Sequence, residues 1–243
     1  MFRRLQTIAP KLRTKWQQRG RTPVHFLHIG KNAGTQIERR MEALNTAQTR
    51  YALVKHPHSV TLSGIPNGEA YFFSIRRPEN RFVSGFYSRK RKGQPRIYKE
   101  WSAHEARAFA AFEHANDLAE ALNGEGTRAK EAFSSMKAIS HVSMNQVDWF
   151  SRQGFLFDER PPVHVIRQEA FEEDFAMFLA KLGLEAKDAA PAADAVSAHR
   201  GDYENAPPLS ERARANLAHW YAQDVAFYDA CERWINSSPN GDV

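Results

Sequence analysis

One cysteine, Cys231, stands among 243 residues, so no disulfide can form within the chain, and a reducing compartment is the expectation. No apolar run approaches the roughly 20 residues that span a bilayer, and the N-terminus lacks the apolar core of a secretion signal. A cytoplasmic protein is therefore expected. Acidic residues are missing from two stretches: residues 1–22 carry seven Lys and Arg with no Asp or Glu, and from Arg76 to Lys99 nine Lys and Arg face only Glu79. With a net charge of +6, this unevenness points to anionic partners. There is no internal repeat, no metal-binding box, and no string matching the Walker pattern GxxxxGK[ST].

What is present suits a soluble α/β protein: 42% of residues are hydrophobic and 26% charged, and the length is enough to bury a full core. Residues 24–37 organise the rest. Val24, Phe26, Leu27 and Ile29 read as a buried strand, Gly30 and Gly34 as the residues that let the backbone turn, and a helix is expected from about Thr35. Such a corner gathers backbone N–H groups and the positive end of a helix dipole beside the Lys31 ammonium, which is a place for a phosphate. The same residues also suit an ordinary strand–turn–helix corner with an exposed lysine.

Further strands are expected at Arg50–Val54, Ala70–Ile75 and Val163–Arg167, with a polar loop from Lys55 to Gly68 carrying His56 and His58. The third strand runs into Arg76-Arg77-Pro78, where proline suits the first turn of a helix through Tyr87. Helices are expected from about Tyr98 to His114, from Thr127 to Ile139, over Phe171–Leu182 with Gly183 as its stop, and from Leu209 to about Trp234. Trp101, Phe109 and Phe112 read as core, and Glu185–Pro208 as a long loop in which Arg200 could clamp a ligand. Residues 1–22 read as a basic tail or an amphipathic helix that could rest on an anionic membrane, 23–236 as the domain, and 237–243 as a flexible end.

Two strand–turn–helix corners, one with a lysine and one with arginine and a helical serine, could hold two phosphates of one nucleotide. Here the chain resembles the PAPS-dependent sulfotransferases, in particular their carbohydrate branch. The 5′-phosphosulfate loop of that family is similar to His28-Ile29-Gly30-Lys31-Asn32-Ala33-Gly34-Thr35, and its 3′-phosphate motif R-D-P-x-x-R-x-x-S is similar to Arg76-Arg77-Pro78-Glu79-Asn80-Arg81-Phe82-Val83-Ser84. Arg77 departs from the pattern, standing where the family has aspartate. The resemblance runs from about residue 23 to 234 and takes in the terminal Tyr221, Asp224 and Tyr228. It implies a three-layer, P-loop-like fold, a central parallel sheet flanked by helices with helical insertions. It also implies PAPS as sulfuryl donor without a metal. Lys31, Asn32, Ala33, Gly34, Thr35 and Gln36 would surround the 5′ phosphosulfate, and Arg76 and Ser84 would hold the 3′ phosphate. Arg81 could equally be a solvent-facing helix residue.

Sulfuryl transfer needs an in-line attack, a cation at the leaving phosphate and a base for the acceptor hydroxyl. Lys31 suits the leaving group. The uronyl 2-O branch has a His-x-His in the same interval, which makes His58 the expected base and His56 its support; two loop histidines without chemistry are the alternative. The basic Arg89–Lys99 segment, with Tyr87, Tyr98 and Trp101, could line a groove for an acidic carbohydrate or a lipid-linked glycan. Two other classes remain: a P-loop-like kinase, which would need Mg²⁺, and a non-catalytic nucleic-acid binder, for which paired phosphate corners are not required. Nucleic acid is not the expected partner.

Overall fold

The computed structural model describes residues 20–47, 49–95, 97–150, 157, 159–185, 189 and 206–237. The expected N-terminal amphipathic segment, Arg200 and the C-terminal tail lie outside them, Gly20–Thr22 and Ser237 apart. The chain runs β1 (Thr22–Leu27), α1 (Gly34–Thr46), β2 (Tyr51–Lys55), β3 (Ala70–Ile75), α2 (Pro78–Lys90), α3 (Ala103–Ala111), α4 (Ala115–Ala121), α5 (Gly126–Ala138), β4 (Val165–Arg167), α6 (Phe171–Lys181), α7 (Glu211–Trp220) and α8 (Ala222–Ser237). No helix among the described residues is long and apolar enough to cross a membrane.

The four strands form one all-parallel sheet in the order β2-β1-β3-β4, with Val24 opposite both Leu53 and Ala70, and Phe73 opposite Val165. Parallel strands are covered on both faces and so read as near-continuous apolar runs, which is why Tyr51-Ala-Leu-Val and Tyr71-Phe-Phe are legible as strands. The fold is thus α/β with helices on a central parallel sheet. Val24, Phe26, Leu53, Phe72 and Ile166 point to the face that buries Ile37, Met41 and Leu44 of α1 and Phe171, Phe175 and Phe178 of α6. Phe72 stacks on Phe178 with centroids 4.3 Å apart. On the other face Phe73 meets the edge of Phe150, and the Tyr71 hydroxyl donates to the Arg160 carbonyl at 2.8 Å. Asp174, fully buried, accepts from the backbone N–H and the guanidinium of Arg167, which ties β4 to α6.

The described residues fall into two compact units. Divisions lie at Ile75/Arg76, at Asn145/Gln146 and, within α8, at Asp229/Ala230; the sheet belongs to the first unit. The second unit is helical, built on Phe82, Phe86, Phe109, Phe112, Leu118, Met136 and Leu217, with Trp101 packed at its margin. Two helices differ from the sequence reading. The helix expected from Tyr98 starts at Ala103, because the Ser102 hydroxyl accepts from Glu105 N–H while the Glu105 carboxylate accepts from Ser102 N–H, a capping box. It ends before His114, where a separate α4 begins. The terminal helix expected as one piece breaks at Tyr221, whose buried hydroxyl donates to the Val142 carbonyl at 2.7 Å.

His164, just before β4, is fully buried, and neither ring nitrogen has a hydrogen-bond partner among the described residues. Burial, helped by the Lys181 ammonium, pushes its pKa from 6.5 down to about 4. The unfolded chain therefore takes up a proton that the folded chain refuses, so this site's stability is complete above about pH 6.5 and is lost as pH falls toward 4. His164→Leu is expected to raise Tm at neutral pH, since it removes unpaired polar atoms from the core, and to flatten the fall in Tm below pH 6.5. Thermal denaturation across a pH series reads both effects.

Candidate functional site

In the sheet order β2-β1-β3-β4, α1 carries the chain from β1 to β2 on one side while β3 lies on the other. The direction of winding reverses between β1 and β3, and ligands of open parallel sheets bind outside the carboxyl ends of strands at such a point. Residues 28–33 leave β1 there. Their unusual backbone does not fall on glycine: Lys31 has φ 72° and Ala33 has φ 56°, both left-handed. A non-glycine residue held there costs about 1–3 kcal/mol, and paired turns of this kind make N–H-lined concavities for anions.

Asn32, between them, is fully buried and holds the turn. Its Nδ2 donates to the Ser74 carbonyl at the end of β3 (2.9 Å) and to Gln146 Oε1 (2.7 Å), while the Ser74 hydroxyl donates back to the Asn32 carbonyl. Asn32 Oδ1 is buried with no hydrogen-bond partner among the described residues. Gly34 is required by packing rather than by φ, because a Cβ there would run into the His28 ring. Gly30 carries no such requirement: its φ is not left-handed, and a Cβ would only touch the His58 ring at 3.7 Å. The turn is thus made by Lys31 and Ala33, with Gly34 admitting His28, and the expectation that Gly30 is needed for the turn is corrected.

The helix that follows has no side-chain cap and no acid in its first turn. Lys31, Ala33 and Thr35 are half-buried at this corner. Gln36 is partly committed elsewhere: its backbone N–H donates to the Ala33 carbonyl at 2.9 Å, and its exposed side-chain amide donates to Glu172 at 3.3 Å.

The two loop histidines are held differently. His58 is exposed, its ring centroid 3.9 Å from that of His28, and its Nδ1 is 3.0 Å from the His28 carbonyl. A carbonyl only accepts, so Nδ1 carries the proton and the neutral ring has its basic lone pair on Nε2. The indole N–H of Trp149 fixes the same residue's carbonyl at 3.0 Å. His56 is buried, with Nε2 2.8 Å from Nδ1 of His25, whose own Nε2 is 2.6 Å from Glu69. Burial, with the neighbouring His25, brings His56 down to about 4, and burial also lowers His25 although Glu69 pulls the other way. Sequence reasoning missed His25, Glu69 and Gln146; a histidine at position 25 inside an apolar strand was the available signal.

In the second unit, Arg76 precedes α2, and both Arg76 and Ser84 are half-buried. Arg77, in the aspartate position of the motif, is exposed with its guanidinium 5.6 Å from the Tyr228 ring. Arg81 is not solvent-facing: it is 3% exposed, donates to the Met144 carbonyl at 2.7 Å, and lies 4.0 Å from Asp224. Along Arg89–Lys99, the segment expected to line a groove, several side chains are committed within the unit while Tyr98 and Lys99 stay exposed. Arg89 is buried against Glu105, Tyr87 is buried, Lys92 pairs with Glu100 at 2.6 Å, and Lys90 is drawn to the Glu113 carbonyl. Of that segment's aromatics, Tyr98 is the exposed one.

Comparison with protein-family models, with curated proteins and with solved structures finds no match.

Proposed function

We propose that the protein is a PAPS-dependent sulfotransferase acting on a hydroxyl of a carbohydrate or glycolipid acceptor in the cytoplasm, with a P-loop-like, three-layer arrangement around its parallel sheet. The observation that carries this reading is the Lys31-Asn32-Ala33 turn, left-handed at Lys31 and Ala33, locked onto β3 by Asn32 and Ser74 and opening a helix with no acid in its first turn where the sheet's winding reverses. That turn suits the 5′ phosphosulfate: Lys31 beside it, with the backbone of Ala33, Gly34 and Thr35. Gln36, whose exposed amide spends one N–H on Glu172, keeps a second N–H to offer at this corner. Arg76 and Ser84 keep the 3′-phosphate role that the sequence motif assigns to them, on that motif alone.

PAPS supplies the sulfuryl group and leaves as the bisphosphate. Lys31 offsets the negative charge that gathers on the leaving phosphate. His58 takes the acceptor's proton at Nε2, the nitrogen that its bond to the His28 carbonyl leaves basic.

Calorimetric titration without added metal tests the donor site. Adenosine 3′,5′-bisphosphate is expected to bind more tightly than ATP or 5′-AMP. Lys31→Ala should lose about 1.5–3 kcal/mol of that affinity, the worth of a charge-assisted hydrogen bond. Equal binding of ATP would move the reading to a kinase, and no nucleotide binding would end it.

A further inference from the structure

Glu69, His25 and His56 form a line of hydrogen bonds that runs one way only. Nε2 of His25 is 2.6 Å from Oε2 of Glu69, and a carboxylate accepts without donating, so that nitrogen carries the proton. Neutral His25 then offers a bare Nδ1, and Nε2 of His56, 2.8 Å away, must donate to it. Both rings are pinned as the Nε2–H tautomer. Their burial, at 3% and 4% exposure, keeps them neutral near pH 7. The backbone that carries the carboxylate is itself held. Glu69 N–H donates to the Pro66 carbonyl at 3.2 Å. Arg160 gathers the carbonyls of Leu62, Ile65 and Pro66 at 2.8–3.2 Å, which fixes the turn that presents Glu69. The backbone pairs β1 and β2 as far as Phe26 and Lys55 and goes one residue further, His56 N–H donating to the Phe26 carbonyl at a long 3.3 Å; the histidine line adds a side-chain tie at that last, weakest bond.

We propose that Glu69 and His25 are positioning residues acting through His56: the carboxylate–imidazole–imidazole line fastens the exit of β2 to β1 and so holds the His56-Pro57-His58 turn with His58 on the His28 carbonyl. The inference deepens, and rests on, the reading of His58 as the base. It gives His56 a physical role distinct from that base. His56 is the last member of a tautomer-locked strap, and its imidazole need not touch the acceptor.

Long-range ¹H–¹⁵N spectra of the full chain at neutral pH test the strap without any substrate. His25 and His56 are expected with the proton on Nε2 and a bare Nδ1, and His58 with the reverse. An Nδ1–H tautomer on His25 overturns the proposal. Turnover with PAPS and an unsulfated uronic-acid polysaccharide gives the second arm. Glu69→Leu should mix the His25 tautomers and lower kcat on the order of 10²-fold, the effect of a small misplacement of a reacting group. Its bisphosphate affinity should not change. Glu69→Gln, whose amide oxygen still accepts from His25, should keep both the tautomers and the turnover. Wild-type turnover in Glu69→Leu, or equal loss in both variants, overturns the proposal as well. Absence of bisphosphate binding in the wild type would instead end the sulfotransferase reading, with the tautomers still decided by the spectra.

Discussion

Arg89→Met is expected to lower the stability of the helical unit by about 3–5 kcal/mol, the usual consequence of leaving one member of a buried ion pair alone. Arg89 is 2% exposed and grips both oxygens of Glu105, Nε at 2.7 Å and Nη2 at 2.8 Å, while its other donors reach the carbonyls of Lys99 and Glu100 at 3.2 Å. Glu105 also accepts from Ser102 N–H and Ser140 N–H, so one carboxylate joins α2, the start of α3 and the end of α5. Burial alone would raise the Glu105 pKa, but Arg89 and the two backbone donors outweigh it and bring the value from 4.5 to about 2. The carboxylate therefore stabilises the unit fully above about pH 4.5, and that contribution is lost as pH falls toward 2. Urea unfolding checks both points. The midpoint should drop sharply in Arg89→Met and recover most of the loss in Arg89→Met/Glu105→Leu, where no charge is left buried. An unchanged midpoint in the single variant would show that the pair is not structural.

His58→Ala is expected to keep the affinity for adenosine 3′,5′-bisphosphate and the melting temperature while turnover falls by about 10²–10⁴-fold, the range for losing a positioned general base. The stability half follows from exposure: the ring lies on the surface, where it rests on the His28 ring and donates to the His28 carbonyl. His56→Ala should behave differently. It empties a buried ring position and strips His25 Nδ1 of its donor, so Tm falls as well. Parallel melting and transfer assays on the two variants separate chemistry from support. Full turnover in His58→Ala would remove it as the base.

The strands were legible because parallel strands buried on both faces are written as short apolar runs; Tyr51–Lys55, Ala70–Ile75 and Val165–Arg167 fall where those runs do. The corner after β1 was legible as a turn into a helix, and Gly34 as a place where a side chain would clash, although Gly30 drew attention that belonged to Lys31 and Ala33. Helix limits at Ser102 and Tyr221 were not, because a capping box and a buried tyrosine hydroxyl act through contacts that the apolar period does not record. The basic run from Arg76 to Lys99 is less exposed than its composition implies, for a related reason. Charge counting sees nine cations, but Arg81 and Arg89 are interior partners of a carbonyl and a carboxylate supplied by residues 63 and 16 positions away.

From the sequence by itself came the element types, the α/β class and the placing of a lysine-bearing turn between a strand and a helix, all of which are local consequences of residue period and turn chemistry; the parallel sheet was an implication of the resemblance. Tertiary structure decided which side chains serve that turn. Asn32 reaches Ser74 and Gln146, and His56 reaches His25 and, through it, Glu69, over separations of 31 to 114 residues. The physical reason is that a polar group buried without a partner is costly, so folding selects its partner from whatever the packed chain brings within hydrogen-bond reach, and that choice is written in no local pattern.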